Sequence, residues 1–291
     1  MTTAPELATP EVAASEPAGP DWSLSPSRAL DFKTCALLYR FRVIDRLPEP
    51  PSLEAARGTV VHGILEKLFD LPAAGRTMTA AAELVEPQWG EMLAEDSELA
   101  AMVDADPEGL LPLLASTREL LSSYFALEDP RRLEPAEREV LVETSLPSGM
   151  KLKGFVDRLD RAPDGRLRVV DYKTGKSPRE EFEGKALFQL RFYALVLWRS
   201  TGVIPTQLRL YYLADREVLD YHPDEADLRS VERQVDALGR AIIKARESGD
   251  WRHKQSKLCD WCSFQSLCPA YGGTPPALPE QTTPGLSINL G

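Results

Sequence analysis

The chain has 291 residues, of which 43% are hydrophobic, and its 34 Lys and Arg against 45 Asp and Glu give a net charge of −11. No apolar run approaches the roughly 18 residues of a membrane helix, and neither a secretory signal nor a lipidation motif is visible. We therefore expect a soluble cytoplasmic protein with no membrane partner, and the overall charge argues against a generally basic nucleic-acid binder.

The charge is unevenly divided along the chain. Residues 1–150 carry 12 basic and 26 acidic side chains, whereas residues 151–291 carry 22 and 19. A group of basic residues near the C-terminal end, here called the basic stripe, comprises Arg240, Lys244, Arg246, Arg252, Lys254 and Lys257. This pattern is consistent with a local anion-binding surface or with an ordinary solvated helix face.

Both ends of the chain are poor in residues that could form a core. Residues 1–21 are rich in Ala, Pro, Glu and Thr, and residues 271–291 carry several prolines and a pair of glycines. We expect two disordered tails that flank one folded domain over residues 22–270.

The first part of this domain is predicted to be helical. Apolar residues recur at helical spacing from Ser25 until Pro48 stops the pattern, with one of the first serines as the N-cap. A second helix is predicted over about 53–71. The acidic stretch 80–127 indicates two or three amphipathic helices, interrupted near residue 106.

The spacing of apolar residues then changes. Short runs separated by turn residues predict three strands between about 140 and 170. A helix over about 184–199, a strand over 208–213 and a long helix over 225–247 follow. The order of helices, then three strands, then helix, strand and helix predicts an α/β protein.

Two motifs, GFVDRLD and VVDYKTG, each place an aspartate near a strand end. Because side chains alternate along a strand, Asp171 and Lys173 lie on the same face. A two-residue loop between the strands would set Asp157 on the other face. The Pro-Asp-Gly sequence at 163–165 instead favours a three-residue hairpin loop, which sets Asp157 opposite Asp171.

Two carboxylates and a strand carbonyl form a hard oxygen site that suits Mg²⁺ or Mn²⁺. A lysine beside them can orient a water molecule or neutralise charge that develops on a phosphate. These residue types indicate phosphodiester chemistry. The simpler alternative is an ion pair at a sheet edge, which is the commoner explanation of an isolated Asp-x-Lys sequence.

The ordered motifs over residues 22–270 resemble the RecB-type branch of the PD-(D/E)xK nucleases, which includes the RecB and AddB nuclease domains and the CRISPR-associated adaptation nucleases. The matching segments are SPSRALDFKTC, GTVVHGILEKLF, GFVDRLD, VVDYKTGK and QLRFY. The resemblance implies a restriction-endonuclease-like α/β fold: a mixed β-sheet core flanked by helices, with an N-terminal helical region and a C-terminal cysteine lobe.

The resemblance also implies roles for individual residues. Three side chains and one backbone carbonyl would hold Mg²⁺ or Mn²⁺, namely those of His62, Asp157, Asp171 and Tyr172. The catalytic set would be Asp157, Asp171 and Lys173, and the residues that border the site and position the DNA strand would be Gln189 and Tyr193. A histidine in an apolar helix is more often a core residue than a ligand, and only the order of the motifs reverses that expectation for His62.

The cysteines form a second pattern. Cys259, Cys262 and Cys268 have the spacing C-x2-C-x5-C, and the remaining cysteine is Cys35. Four thiolates suit a [4Fe–4S] cluster or a structural Zn²⁺, and the spacing alone does not separate the two. The resemblance to AddB-like and CRISPR-associated proteins, with one early and three late cysteines, implies an iron–sulfur cluster that ties the chain ends together.

Together these features predict a metal-dependent DNA nuclease, and the resemblance implies an exonuclease that acts on single strands or DNA ends in repair or recombination. One alternative is a DNA-binding or scaffold subunit of a helicase–nuclease complex that does not cut, and another is a nuclease that acts on RNA. No Walker-type phosphate loop is present, so unwinding of a duplex would need a helicase partner.

Overall fold

The computed structural model describes residues 23–105, 108–178 and 183–279. The tail predicted over residues 1–21 and the helix interruption predicted near residue 106 lie outside this part of the chain. The strands and helices that carry the predicted site all lie within it.

Part of the second predicted tail is described. The guanidinium of Arg40 donates a hydrogen bond to the carbonyl of Pro276. Residues 280–291 lie outside the described ranges, and the predicted domain limits at 22 and 270 stay predictions.

The first helical segment consists of shorter pieces than predicted. Helix α1 (Pro26–Thr34) begins after Ser25, whose side chain accepts a hydrogen bond from a main-chain N–H of the first turn. Cys35 is extended, with a φ of −161°, and ends α1. Helix α2 (Ala36–Tyr39) then continues into a π-helical turn over Arg40–Ile44. The prediction of one continuous helix is wrong at Cys35.

A helical layer follows. It contains α3 (Leu53–Leu68), α4 (Met78–Glu83), α5 (Val85–Glu95), α6 (Ser97–Asp104) and α7 (Leu110–Leu127). The stretch from residue 80 onwards therefore holds more helices than predicted. The side chains of Thr77 and Asp96 accept hydrogen bonds from the first turns of α4 and α6, and these caps start separate short helices.

The described strands form one six-stranded sheet. They are β1 (Ser23–Leu24), β2 (Glu137–Ser145), β3 (Lys151–Arg161), β4 (Leu167–Lys173), β5 (Gln207–Tyr212) and β6 (Glu217–Tyr221). The path runs β1-β3-β4-β5-β6, and β2 pairs with β3 off this path. Strands β4 and β5 are parallel and are joined by helix α8 (Glu183–Thr201), while α9 (Glu225–Ser248) follows β6.

Strands β1 and β6 were not predicted. Strand β1 has only two residues, too few to produce a pattern. Strand β6 lies at the sheet edge and is mostly exposed. The turn before it places Arg216 at a φ of +60°, so neither glycine nor proline marks it in the sequence.

Helices cover both faces of the sheet. Val169 and Leu208 belong to a core shared with α1, α8 and α9, whereas Val170, Tyr172 and Tyr211 belong to a second core shared with the helices α3 to α7. The predicted mixed sheet flanked by helices is therefore confirmed. Among the described helices, none combines the length and the apolar composition required to cross a bilayer.

Candidate active site

The loop between β3 and β4 fixes the register of the site. Gly165 has a φ of +86°, and its N–H donates to the carbonyl of Ala162 at 2.8 Å. The N–H of Ala162 in turn donates to the carbonyl of Arg166 at 2.9 Å, which closes the predicted three-residue loop. The ladder that follows runs to the pair Arg158 and Val170. The next position in the same register sets Asp157 opposite Asp171, as predicted.

Strands β3 and β4 separate at this point. The N–H of Tyr172 donates to Oδ2 of Asp157 at 2.7 Å, so a side chain of β3 contacts the backbone of β4. Strand β4 continues to pair with β5 through Asp171 and Lys173. The carboxylate of Asp157 thus lies in the opening between two strands that diverge.

Helix α3 brings His62 to this opening. Its Nε2 lies 2.9 Å from the carbonyl oxygen of Tyr172, and its Nδ1 lies 3.4 Å from Oδ2 of Asp157. The neighbours Val61 and Ile64 are buried in the core and hold the helix against the sheet. The structure therefore brings the predicted ligand His62 beside Asp157 and the Tyr172 carbonyl.

Glu139 is a further acidic residue at this centre that the sequence motifs did not identify. Its Oε1 lies 3.7 Å from Nδ1 of His62. Strand β2 pairs with β3 so that Arg138 is opposite Arg158 and Val140 is opposite Val156, which places Glu139 opposite Asp157.

A sequence signal for Glu139 existed. The loop Pro147-Ser148-Gly149 has the same chemistry as Pro163-Asp164-Gly165, and Gly149 has a φ of +80°. The N–H of Leu146 donates to the carbonyl of Met150 at 2.9 Å, which closes a second three-residue loop. The turn argument used for the β3–β4 hairpin, applied to this loop, would have set Glu139 opposite Asp157.

Asp171 and Lys173 form the other side of the site. Nζ of Lys173 lies 2.6 Å from Oδ2 of Asp171 and donates to Oε1 of Gln189 at 2.9 Å. The amide nitrogen of Gln189 lies 3.0 Å from Oδ1 of Asp171 and 3.0 Å from the hydroxyl of Tyr193. The predicted residues Gln189 and Tyr193, one turn apart on α8, therefore lie beside Asp171 and Lys173 of the predicted catalytic set.

Gly154 makes room for Tyr193. A Cβ atom at position 154 would lie 2.5 Å from Cε1 of the Tyr193 ring. The glycine of the GFVDRLD motif thus lets the ring of Tyr193, on α8, approach the backbone of β3 closely.

Burial and charge shift the protonation of two of these groups. Burial, followed by the charge of Asp171, raises the pKa of Asp157 to about 7. Burial alone would lower the pKa of His62, but the carboxylates of Glu139, Asp157 and Asp171 outweigh it and raise this pKa to about 9.

The side chain of Tyr172 anchors the site from the opposite face of the sheet. Its hydroxyl accepts a hydrogen bond of 2.8 Å from Arg158, whose side chain is buried and lies 2.6 Å from Glu128. The hydroxyl of Tyr211 also donates to Glu128, at 2.8 Å. This buried network fixes the residue whose N–H and carbonyl contact Asp157 and His62.

The donor set fits a divalent cation. Ligand atoms of His62, Glu139 and Asp157 all lie within 4.8 Å of one another. Carboxylate oxygens suit both Mg²⁺ and Mn²⁺. An imidazole nitrogen is a better ligand for Mn²⁺ than for Mg²⁺. Asp171 lies outside this group of three and has its carboxylate held by Lys173 and Gln189.

The four cysteines come from two distant parts of the chain but share one cavity. Cys35, Cys259, Cys262 and Cys268 are free thiols and line it together with apolar side chains such as Phe264. Main-chain N–H groups point at two of the sulfurs: that of Lys254 at Cys35 and that of Ser256 at Cys259, each at 3.4 Å. The structure thus gathers all four predicted cysteines around one space.

The basic stripe lies on α9 and on the segment that leads to the cysteines. Arg240 and Lys244 lie one turn apart on the helix, and Lys254 and Lys257 are exposed beyond it. Arg252 is exposed as well and pairs with Asp250.

Comparison with known proteins defines the class of protein that this fold and site represent. The chain belongs to the PD-(D/E)XK nuclease superfamily, whose sequence profile matches residues 23–269. Nucleases of this superfamily generally use divalent metals.

Three individual proteins are similar to the chain. One is a subunit of the ATP-dependent helicase/deoxyribonuclease of Streptococcus equi subsp. zooepidemicus (strain H70), which is 29% identical over 180 residues, 60% of this chain and 16% of that protein. The Gene 69 protein of Mycobacterium phage L5 is 29% identical over 126 residues, 42% of this chain and 41% of that protein. A solved structure from Eubacterium rectale, described as a candidate exonuclease, aligns with a TM-score of 0.47 and 12% identity over 82% of this chain and 86% of that one. The chain spans less than half the length of the two sequence relatives.

Proposed function

We propose that this chain is a RecB-type, metal-dependent DNA nuclease that acts as an exonuclease on single strands or DNA ends during repair or recombination. The observation that carries this proposal is the convergence of Asp157, Asp171 and Lys173 where β3 and β4 separate, with His62 beside them. An isolated ion pair at a sheet edge would not explain a histidine and two further acids at the same place.

The residues available to hold Mg²⁺ or Mn²⁺ are His62, Asp157 and Asp171, with the carbonyl of Tyr172. A bound divalent cation supplies Lewis-acid chemistry, which activates a water molecule and stabilises the charge that develops on a phosphodiester. The protein contributes a fixed arrangement of ligands, because Asp157 is held by the N–H of Tyr172 and His62 by its carbonyl.

Lys173 is the proposed catalytic lysine. Its ammonium group is partly exposed and is held between Asp171 and Gln189. From this position it can orient the attacking water or donate a hydrogen bond to the scissile phosphate as negative charge grows there. Gln189 extends the same polar surface, and the buried Tyr193 holds the Gln189 amide through its hydroxyl. In this proposal both residues help to position the DNA strand.

The second proposed cofactor is a [4Fe–4S] cluster on the four cysteines. The four cysteines share one cavity, and main-chain N–H groups are directed at the sulfurs of Cys35 and Cys259, an environment that suits thiolates bound to a metal group. A structural Zn²⁺ on the same four thiolates is the alternative.

We also propose a DNA substrate and a helicase partner. The name of the streptococcal relative includes both a helicase and a deoxyribonuclease, and this chain aligns with a small part of that protein. The basic stripe offers a surface on which the DNA backbone can lie next to the cysteine lobe.

The test is cleavage by the full chain, purified without air. End-labelled single-stranded DNA, duplex DNA and RNA are incubated with Mn²⁺, Mg²⁺ or EDTA, and Asp171→Ala serves as the inactive control. We expect metal-dependent shortening of single-stranded DNA from one end. DNA binding without cleavage would instead indicate the scaffold subunit, and faster cleavage of RNA would indicate a ribonuclease.

A further inference from the structure

Glu139 is the acidic residue of this centre to which the resemblance assigns no role. We propose that Glu139 is a direct ligand of the divalent cation, together with Nδ1 of His62 and the carboxylate of Asp157. The proposal rests on the proposed function only in assuming that the centre binds a divalent cation.

The distances define a compact donor set. Oε1 of Glu139 lies 3.7 Å from Nδ1 of His62, which lies 3.4 Å from Oδ2 of Asp157, and the three ligand atoms are all within 4.8 Å of one another. A cation about 2.1–2.5 Å from each of three ligands separates neighbouring ligand atoms by about 3–4 Å. The set therefore needs little rearrangement to bind Mn²⁺ or Mg²⁺.

The orientation of the His62 ring supports the same assignment. Its Nε2 lies 2.9 Å from the carbonyl oxygen of Tyr172, so the proton resides on this nitrogen when the ring is neutral. Nδ1 is then the free lone pair, and it faces Glu139 and Asp157. Metal-bound histidines commonly donate their other ring N–H to a carbonyl in this way. With Nδ1 as the ligand, the Tyr172 carbonyl orients the ring and does not bind the same cation.

The backbone of Glu139 adopts an unusual conformation for a glutamate in a strand. Its φ of +43° lies in the left-handed region within a strand, although the residues on either side keep the regular register with β3. Glycine or asparagine is favoured at such a φ, whereas glutamate has no local conformational preference for it. The chain nevertheless carries a glutamate whose carboxylate reaches the His62 ring.

The strand supplies a matched control. Glu143 lies four residues further along β2, on the same side by strand alternation, and is exposed opposite Lys153. It is a glutamate on the same strand as Glu139, but it is not part of the group that Glu139 forms with His62 and Asp157.

The experiment measures Mn²⁺ binding by calorimetry and by Mn²⁺ paramagnetic resonance, together with the melting temperature of the metal-free protein. We expect Glu139→Gln to weaken Mn²⁺ affinity at least tenfold and to change the spectrum of bound Mn²⁺, while Glu143→Gln matches the wild type. Glu139→Gly should lose affinity equally but retain or raise the melting temperature, because glycine relieves the strained φ. This variant separates loss of a ligand from loss of folding.

Two results would overturn the proposal. One is a Glu139→Gln protein whose Mn²⁺ affinity stays within about twofold of the wild type, while Asp157→Asn clearly weakens that affinity. The other is a wild-type protein that binds no Mn²⁺ at millimolar concentration. If instead Mn²⁺ binds through Glu139 but no nucleic acid is cleaved, the nuclease proposal fails and the ligand assignment stands.

Discussion

The carboxylate of Asp157 accepts a hydrogen bond of 2.7 Å from the main-chain N–H of Tyr172, just beyond the last paired residues of β3 and β4. The contact joins a side chain of one strand to the backbone of the next at the point where the two strands separate. It fixes the carboxylate before any cation binds, and it leaves the carbonyl of the same tyrosine directed at His62. The behaviour expected of the site depends on this arrangement.

The first prediction concerns Lys173. Lys173→Ala should abolish cleavage, with a barrier higher by about 3 kcal/mol or more, since the ammonium that faces developing charge is removed. Mn²⁺ affinity should be retained because no proposed ligand changes. Single-turnover cleavage and Mn²⁺ calorimetry check both points, with the exposed Lys151→Ala as the control. Cleavage above about a tenth of the wild-type rate would refute the role of Lys173.

The second prediction concerns pH. Protons on Asp157, with a pKa of about 7, and His62, with a pKa of about 9, must leave before these groups bind a cation. Mn²⁺ affinity should therefore rise steadily from about pH 6 to pH 9, and binding at pH 7 should release protons. Calorimetry in buffers of different ionisation enthalpy measures that release. Affinity that does not change with pH would contradict the assigned ligands.

The same pKa shifts predict how the metal-free protein responds to pH. Both pKa values lie above those of the unfolded chain, so the folded state binds these protons more tightly. The contribution of Asp157 to stability should be lost as the pH rises from about 4 to 7, and that of His62 as it rises from about 6.5 to 9. Denaturant melts with EDTA should show this decline, and His62→Ala should flatten its upper part.

A further prediction concerns Gly154. Gly154→Ala should destabilise the fold by about 1–3 kcal/mol, because the new Cβ overlaps the Tyr193 ring. It should also slow cleavage, since Tyr193 holds Gln189. Gly90→Ala is the control: position 90 lies within α5 with open space around it, so alanine should stabilise by up to about 1 kcal/mol. Equal stability of Gly154→Ala and wild type would contradict the close contact.

The cysteine site gives a prediction about structure rather than chemistry. Cys35→Ser or Cys262→Ser should lower the melting temperature and remove the visible absorbance of thiolate-to-iron charge transfer. More than 200 residues separate Cys35 from Cys259, so a group that joins them strongly restricts the unfolded chain. The check is iron, sulfide and zinc analysis of protein purified without air. One zinc per chain and no iron would refute the cluster while leaving the acidic site unaffected.

The last prediction concerns the basic stripe. Charge reversal at Lys244 and Lys254 should weaken binding of single-stranded DNA of any sequence and reduce the slope of affinity against salt concentration. Arg118→Glu on α7, outside the stripe, provides the control. Fluorescence anisotropy at several salt concentrations measures both quantities. An unchanged slope would identify the stripe as a solvated helix face.

The order of strands β2 to β5 and of helices α8 and α9 could be predicted because periodicity and turn residues mark it directly, whereas β1 and β6 were missed. The register of Asp157 and Asp171 followed from a single Pro-Asp-Gly loop, since the turn type fixes the pairing. The break at Cys35 could not be predicted, because the preference of the surrounding residues is helical and the extended conformation accompanies a contact with Lys254, more than 200 residues away. Glu139 was missed for another reason: it lies outside both aspartate motifs, and only the register set by the Pro-Ser-Gly loop brings it to the site.

The division of the core between distant parts of the chain has a consequence for the order of folding during synthesis. Leu24 of β1, Ala29 of α1 and Leu37 of α2 share a core with Ile242 and Trp251 near the other end of the described chain. The second core, formed by the helices α3 to α7, is completed by residues of β4 and β5 and, in the described part of the chain, includes none from α9. On the ribosome, the helical layer can therefore pack while α1 and α2 still wait for α9 to emerge. The segment of α1 and α2 is thus made before the helical layer but buried after it, and Cys35 stays accessible until α9 has emerged, which would allow assembly of the proposed cluster at that stage.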